Sequence, residues 1–240
     1  APELRVRAIV PVPAAGSVRL AVVGLPAGID PARRLRSVGR AAAAVGARRA
    51  AADRLRTDGL VVETPDAEYD RRLALARLRL RSYRVEAPGV GRLVVAGYGR
   101  LAGEEDCVRF RVRDGVRTAL AALAAGDFDI GREVLTFLGR HQDAGGRIPE
   151  WCTTTGRMGH AAGEPTVLYL LLVARYLAWT GDRRTVRGEW ARVERALEWW
   201  PETGGPLSQA VLAELVHTAE EVGETATARR LGSGGGGSAE

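Results

Sequence analysis

Apolar positions in the 240-residue chain fall into two regimes. Residues 4–25, LRVRAIVPVPAAGSVRLAVVGL, alternate apolar and polar side chains in LRVRAIV and VRLAVVGL, with turn chemistry in PAAGS between them. A period of two predicts a pair of strands. Beyond Asp30 the apolar spacing becomes helical. Asp30-Pro31 places an N-cap before a proline at the first helical position, and an Ala/Arg helix is expected to run to about Thr57, weakened by Gly39 and Gly46. A second helix is expected from Thr64 or Asp66, with Leu73, Ala76, Leu80 and Tyr83 on one face. Six Gly or Pro residues between Pro88 and Gly103 then interrupt the helical period.

From Val112 onward the pattern predicts helices at 114–125, 128–142, 165–180, 184–200, 207–222 and 224–231. Three joints resemble one another: a helix ends at Gly126, Gly181 or Gly223, and an acidic residue opens the next. Glycine tolerates the left-handed position after a helix, and a carboxylate suits the N-terminus that follows. The repetition predicts stacked helical hairpins, as in a solenoid or a toroid. Between two such helices lies RIPEWCTTTGRMGHAAGEP, a loop rich in hydrogen-bonding groups, suited either to a surface connection or to the rim of a site for a polyhydroxylated ligand. The tail GSGGGGSAE has the composition of a flexible linker.

Charge narrows the function classes. The net charge is +6, and all 35 basic residues are Arg. They alternate with Ala, Asp and Glu along helices, and no aromatic-basic platform accompanies them, which argues against nucleic acid. No stretch of 18 uncharged apolar residues is present, so no membrane span is expected. No signal-peptide pattern opens the sequence, and a cytoplasmic location is the expectation. Cys107 and Cys152 are expected to be unpaired small apolar residues. Neither a CxxC nor an HxxxH spacing occurs, so neither a zinc site nor a cofactor is expected.

Several segments carry a family resemblance. They are VVETPDAEYDRRLALARLRLRSYRVEAPGVGRLVVAGYG, RDGVRTALAALAAGDFDIGREVLTFLGRHQDAGGRIPEW with its TTTG, and EPTVLYLLLVARYLAWTGD. Over about residues 60–200 the chain resembles the amylo-α-1,6-glucosidases, the glycogen-debranching type of six-hairpin glycosidase. The landmarks are ordered: an AGY segment, Arg113-Asp114 before a helix, a helix ending near His141-Gln142, an Ile-Pro loop ending in Thr-Thr-Gly, an acid-x-Thr-x-Leu-Tyr helix start, and a Thr-Gly-Asp turn.

The resemblance implies an (α/α)6 toroid preceded by a β-sandwich and a linking helix. Residues 1–29 would be a strand remnant of the sandwich, 30–62 the linking helix, 63–231 the toroid-like helical domain and 232–240 a flexible tail. It also implies that Arg113 and Asp114 line a sugar subsite and that Glu164 is the general acid. Three departures stand out. The acid position holds Glu rather than the usual Asp. Glu150-Trp151-Cys152 replaces other polar residues. About eight helices are countable where a toroid needs twelve, as though hairpins were missing between Trp200 and Leu207. The fold expected is therefore mainly α, a partial or compressed toroid with a small N-terminal β segment.

Glycoside hydrolysis needs two carboxyls, one as acid and one as base. Glu164 is the candidate acid; Arg113, Asp114, Trp151 and Thr154 are the candidate substrate-binding residues. As a helix-opening residue Glu164 also suits the helix dipole, Asp114 an N-cap, and Trp151 an anchor in the core. His141 and His160 are expected at helix-end and loop positions, and Tyr176, Trp179, Trp190, Trp199 and Trp200 in the core. Glu198, Glu202, Glu214 and Glu221 are available as base, and no spacing selects one. The expected partner is an α-glucan or oligosaccharide, with a homodimer where an unclosed barrel would leave helix faces uncovered. Two functions follow: a debranching-type glycosidase, or an inactive helical module that binds carbohydrate or a protein.

Overall fold

The computed structural model describes residues 61–95, 109–160, 163–200 and 206–234, with the single positions 46, 50, 53 and 54. The chain divides into two units, 1–54 and 55–240. The strands expected at 4–25, the cap at Asp30, the AGY segment, Cys107, Glu202 and the end of the tail lie outside the described residues. Gly46, Ala50, Asp53 and Arg54 are helical, as expected for the segment 30–57.

The second unit is mainly helical with two small sheets. Its elements are α1 (Ala67–Ser82), β1 (Arg84–Ala87), β2 (Gly91–Val94), β3 (Arg109–Arg111), α2 (Val112–Ala124), α3 (Phe128–Arg140), β4 (Trp151–Thr153), β5 (Met158–Gly159), α4 (Glu164–Thr180), α5 (Arg183–Trp199), α6 (Pro206–Val222) and α7 (Thr225–Gly234). Helices α2 and α3, α4 and α5, and α6 and α7 form three consecutive pairs. The first members pack on one another, α2 on α4 and α4 on α6, and α3 packs on α5. The pairs therefore stand side by side in two layers. Among the described residues no helix is long and apolar enough to cross a membrane.

Local chemistry accounts for these elements. Asp66 caps α1 by accepting the Glu68 and Tyr69 amides at 2.9 and 3.2 Å. Along α3, Ile130, Val134, Leu135 and Leu138 are buried at helical spacing; along α5, so are Val186, Trp190, Val193 and Ala196. Helix α4 is apolar nearly all round and runs through the middle of the core, with Tyr169, Leu170, Leu172 and Val173 fully buried.

The three joints behave as the sequence predicts. Gly126, Gly181 and Gly223 have φ of 77°, 65° and 90°. At two of them the amide after the glycine bonds a carbonyl of the last turn, Asp127 to Ala122 and Glu224 to Ala219, both at 2.8 Å. This is the six-residue closure of a glycine-terminated helix. At the third, Gly181 itself donates to Leu177 at 2.8 Å.

Asp182 fastens that joint. Its carboxylate accepts the Thr185 amide and hydroxyl and the Tyr176 hydroxyl, joining the end of α4 to the start of α5. The Thr185 hydroxyl, then its amide, hold the Asp182 carboxyl below its ordinary value of 3.8, against the opposing effect of burial. A depressed folded-state value means that the contribution to stability is complete above the unfolded value and is lost as pH falls through the folded one. Asp182→Ala is expected to cost about 1 kcal/mol at neutral pH. The deficit should shrink as pH falls below 3.8 and on through the lower folded-state value, when melts are compared across pH.

The sequence expectations need correction at three places. Ala76 is exposed, and the buried residue of α1 is Arg77, at 5% exposure. It is tolerated because α1 packs over the α2–α3 joint, where the buried Asp127 carboxylate lies 3.6 Å from the Arg77 guanidinium. Trp179 is not in the core: it is 50% exposed, near the end of α4. The interrupted segment after Tyr83 and the polar loop after Arg147 both contain paired strands, β1–β2 and β3–β4–β5, all antiparallel.

Candidate functional site

One cleft gathers the charged residues that the sequence singles out. Its volume is about 280 Å³, and it is lined by Arg111, Arg113, Asp114, Glu150, Glu164, Pro165 and Leu168. It lies where α2 and α4 begin. Strand β3 runs directly into α2, so Arg111 is both the last strand residue and the N-cap. Arg113 and Asp114 then fall in the first turn. Glu164 is the first residue of α4, followed by a proline that suits that position. Because α2 packs on α4, residues 51 apart in sequence meet here.

Arg113 donates through Nε to Glu164 Oε1 at 3.1 Å and through Nη2 to Oε2, a two-pronged guanidinium–carboxylate pair. Hydrogen bonding to Glu164, reinforced by its charge, raises the Arg113 guanidinium above its ordinary value. Both side chains are about half exposed. A pair this open to water is screened and adds little to stability. Arg113→Ala is therefore expected to leave the midpoint of denaturant unfolding close to the parent's. A larger loss would show that the pair serves the fold rather than a ligand.

The third wall is the segment that carries Glu150. Its backbone is fixed at both ends: the Glu150 amide donates to the Gly159 carbonyl at 2.7 Å, and the Val112 amide donates to the Glu150 carbonyl at 2.9 Å. The second bond also satisfies one of the free amides at the start of α2. Upstream, the Ile148 amide bonds the buried Thr166 hydroxyl of α4 at 3.2 Å. The segment is thus tied to both helices that carry the other cleft residues. The Glu150 side chain is exposed; it accepts no side-chain hydrogen bond among the described residues, and its charge acts on Arg113.

Arg113, Asp114 and Glu164 come together in this cleft. Trp151 and Thr154 do not join them in lining the cleft. The Trp151 ring lies against Gly159, where a Cβ would come within 2.4 Å of it, and Arg109 stacks on it at 4.6 Å. This packing anchors the small sheet. Thr154 occupies the tight turn closed by the Gly156 amide on the Thr153 carbonyl at 3.0 Å.

Of the glutamates available as base, Glu198, Glu214 and Glu221 do not line the cleft. Glu214 pairs with Arg175 and Glu221 with Arg183. His141 is a helix end, its Nδ1 2.9 Å from the Phe137 carbonyl oxygen. Cys152 is buried and free, and burial pushes its thiol up to about 11, which disfavours a nucleophilic thiolate.

Sequence reasoning missed Arg111, Glu150 and Leu168 as cleft residues. Glu150 carried the one usable signal, a charged residue directly after Ile148-Pro149, both of which are buried. Among the described residues no group of three His, Cys, Asp or Glu is placed to hold a metal ion. No protein-family model matches the chain, and a search of curated proteins returns no match either.

Proposed function

We propose that the protein is a glycoside hydrolase-like protein of the debranching, amylo-α-1,6-glucosidase type, acting on an α-glucan or oligosaccharide held in the α2–α4 cleft. The single observation that carries this reading is the meeting of Arg113, Asp114 and Glu164 in one cleft, on the first turns of two packed helices. Three hairpins in two layers fit part of an (α/α)6 toroid, shortened because only residues 200–205 separate α5 from α6.

Chemically, the cleft offers donors and acceptors in alternation. Arg113 can donate to sugar hydroxyls and Asp114 can accept from them. Glu164 is the acid that protonates the departing glycosidic oxygen. Both Glu164 oxygens are engaged by N–H groups of Arg113. The substrate's hydroxyls must therefore take over Arg113 before Glu164 can act. The same contact favours a second reading, an inactive module that binds carbohydrate through this cleft.

The experiment is glucose release from maltooligosaccharides and from a branched glucan, with Glu164→Gln as control. Release that falls at least about 10²-fold in the variant supports the enzyme. Sugar binding without release supports the module. Neither binding nor release, with helicity intact by circular dichroism, overturns both.

A further inference from the structure

Resting on the glycosidase reading above, we infer that Glu150 is the second catalytic carboxylate, the general base that activates water in this cleft. Three observations point to it. Glu150 lines the same cleft as Glu164 but arrives on a different element, the entry to β4 rather than the start of α4. Adjacent residues of α2 hold the two: the Val112 amide bonds the Glu150 carbonyl, and the Arg113 side chain bonds the Glu164 carboxylate. Glu150's own carboxylate is exposed and accepts no side-chain hydrogen bond among the described residues, while its charge reaches the Arg113 guanidinium across the cleft.

The backbone bonds to Gly159 and Val112 fix where the side chain begins, and leave its oxygens free to accept from water. Positioned at its root and free of side-chain hydrogen bonds at its tip, it has what a base requires. Glu164, engaged by Arg113, does not. Asp114 sits on α2 beside Arg113, where it serves the sugar hydroxyls.

Glu150 takes one proton from a water molecule while the water oxygen bonds to the anomeric carbon. The bond from that carbon to the glycosidic oxygen breaks, and Glu164 gives its proton to the departing oxygen. Solvent then returns a proton to Glu164 and removes one from Glu150. The arrangement requires room for water between the two carboxyls.

The test is steady-state kinetics of glucose release by Glu150→Gln, Glu150→Ala, Asp114→Asn and, as control, Glu198→Gln. Glu150→Gln keeps both backbone bonds and is expected to fold; a thermal melt checks this. Its kcat should fall by about 10²–10⁴-fold with KM little changed. Glu150→Ala should regain turnover with sodium azide, read as formation of glycosyl azide rather than glucose, because azide attacks the anomeric carbon without needing a base. Asp114→Asn should instead act mainly on KM, and Glu198→Gln should match the parent. An active parent whose Glu150→Gln variant keeps its kcat overturns Glu150's role alone. A parent that releases no glucose overturns the glycosidase reading and this assignment together.

Discussion

Gly146→Ala is expected to destabilise the protein by about 2–5 kcal/mol, read as a drop in the midpoint of chemical unfolding. Two costs combine. Gly146 has φ of +92°, a backbone conformation that costs an L-residue about 1–2 kcal/mol. A Cβ there would also lie 2.1 Å from the Arg195 carbonyl oxygen and 2.8 Å from its carbon. Those are backbone atoms of α5, so no rotamer relieves the clash; the helix or the loop must move, at about 1–3 kcal/mol more.

The loop has little freedom to move. Gln142 Nε2 bridges the Gly146 and Arg192 carbonyls at 3.0 and 2.9 Å, and Arg195 donates to Gln142 Oε1 at 3.1 Å. Four residues further on is Glu150. A shifted loop is therefore expected to disturb the cleft as well, so the variant should lose ligand binding before it loses helicity. An Ala variant with the parent's midpoint would show that the loop accommodates a side chain with no help from α5.

Asp127→Ala is expected to cost about 3–5 kcal/mol, the loss that follows when one partner is removed from a buried ion pair. Asp127 is 3% exposed and Arg77 is 5% exposed. One Asp127 oxygen takes both Arg77, at 3.6 Å, and Arg81, at 2.5 Å. The substitution strips the carboxylate from two guanidinium groups at once, one of them deep in the structure. Because Arg77 and Arg81 both belong to α1, the damage should be local at first. Hydrogen exchange should speed up in α1 ahead of α4. Asp127→Ala together with Arg77→Leu should recover part of the loss, since the desolvated charge is then gone.

Much of the helical framework could be read without the structure. Helix signals are local: apolar residues at three- and four-residue spacing, an acidic opener, a glycine closer. Such signals lie within one or two turns of chain, and they place the seven described helices to within about three residues. The positive φ at Gly126, Gly181 and Gly223 was legible for the same reason, because a helix end is set by its nearest neighbours. Arg113, Asp114 and Glu164 were singled out from short landmarks on either side of that framework.

What the sequence could not determine depended on partners far along the chain. Strands β3 and β5 are three and two residues long, too short to show a period of two, and they exist because Trp151, Cys152 and Thr153 pair across to them. That pairing draws Trp151 onto Gly159 and away from the cleft. Arg77 faces inward over a carboxylate from the α2–α3 joint, a partner 50 residues away in the chain. The Arg113–Glu164 pair needs α2 against α4, and the place of Glu150 needs an amide from α2 and a carbonyl from β5. The sequence by itself determined which residues form helices and where each helix stops, since those free energies are settled between neighbours. The tertiary structure alone decided which charges meet, because hydrogen bonds and ion pairs form wherever packing brings their ends together, at whatever separation in the chain.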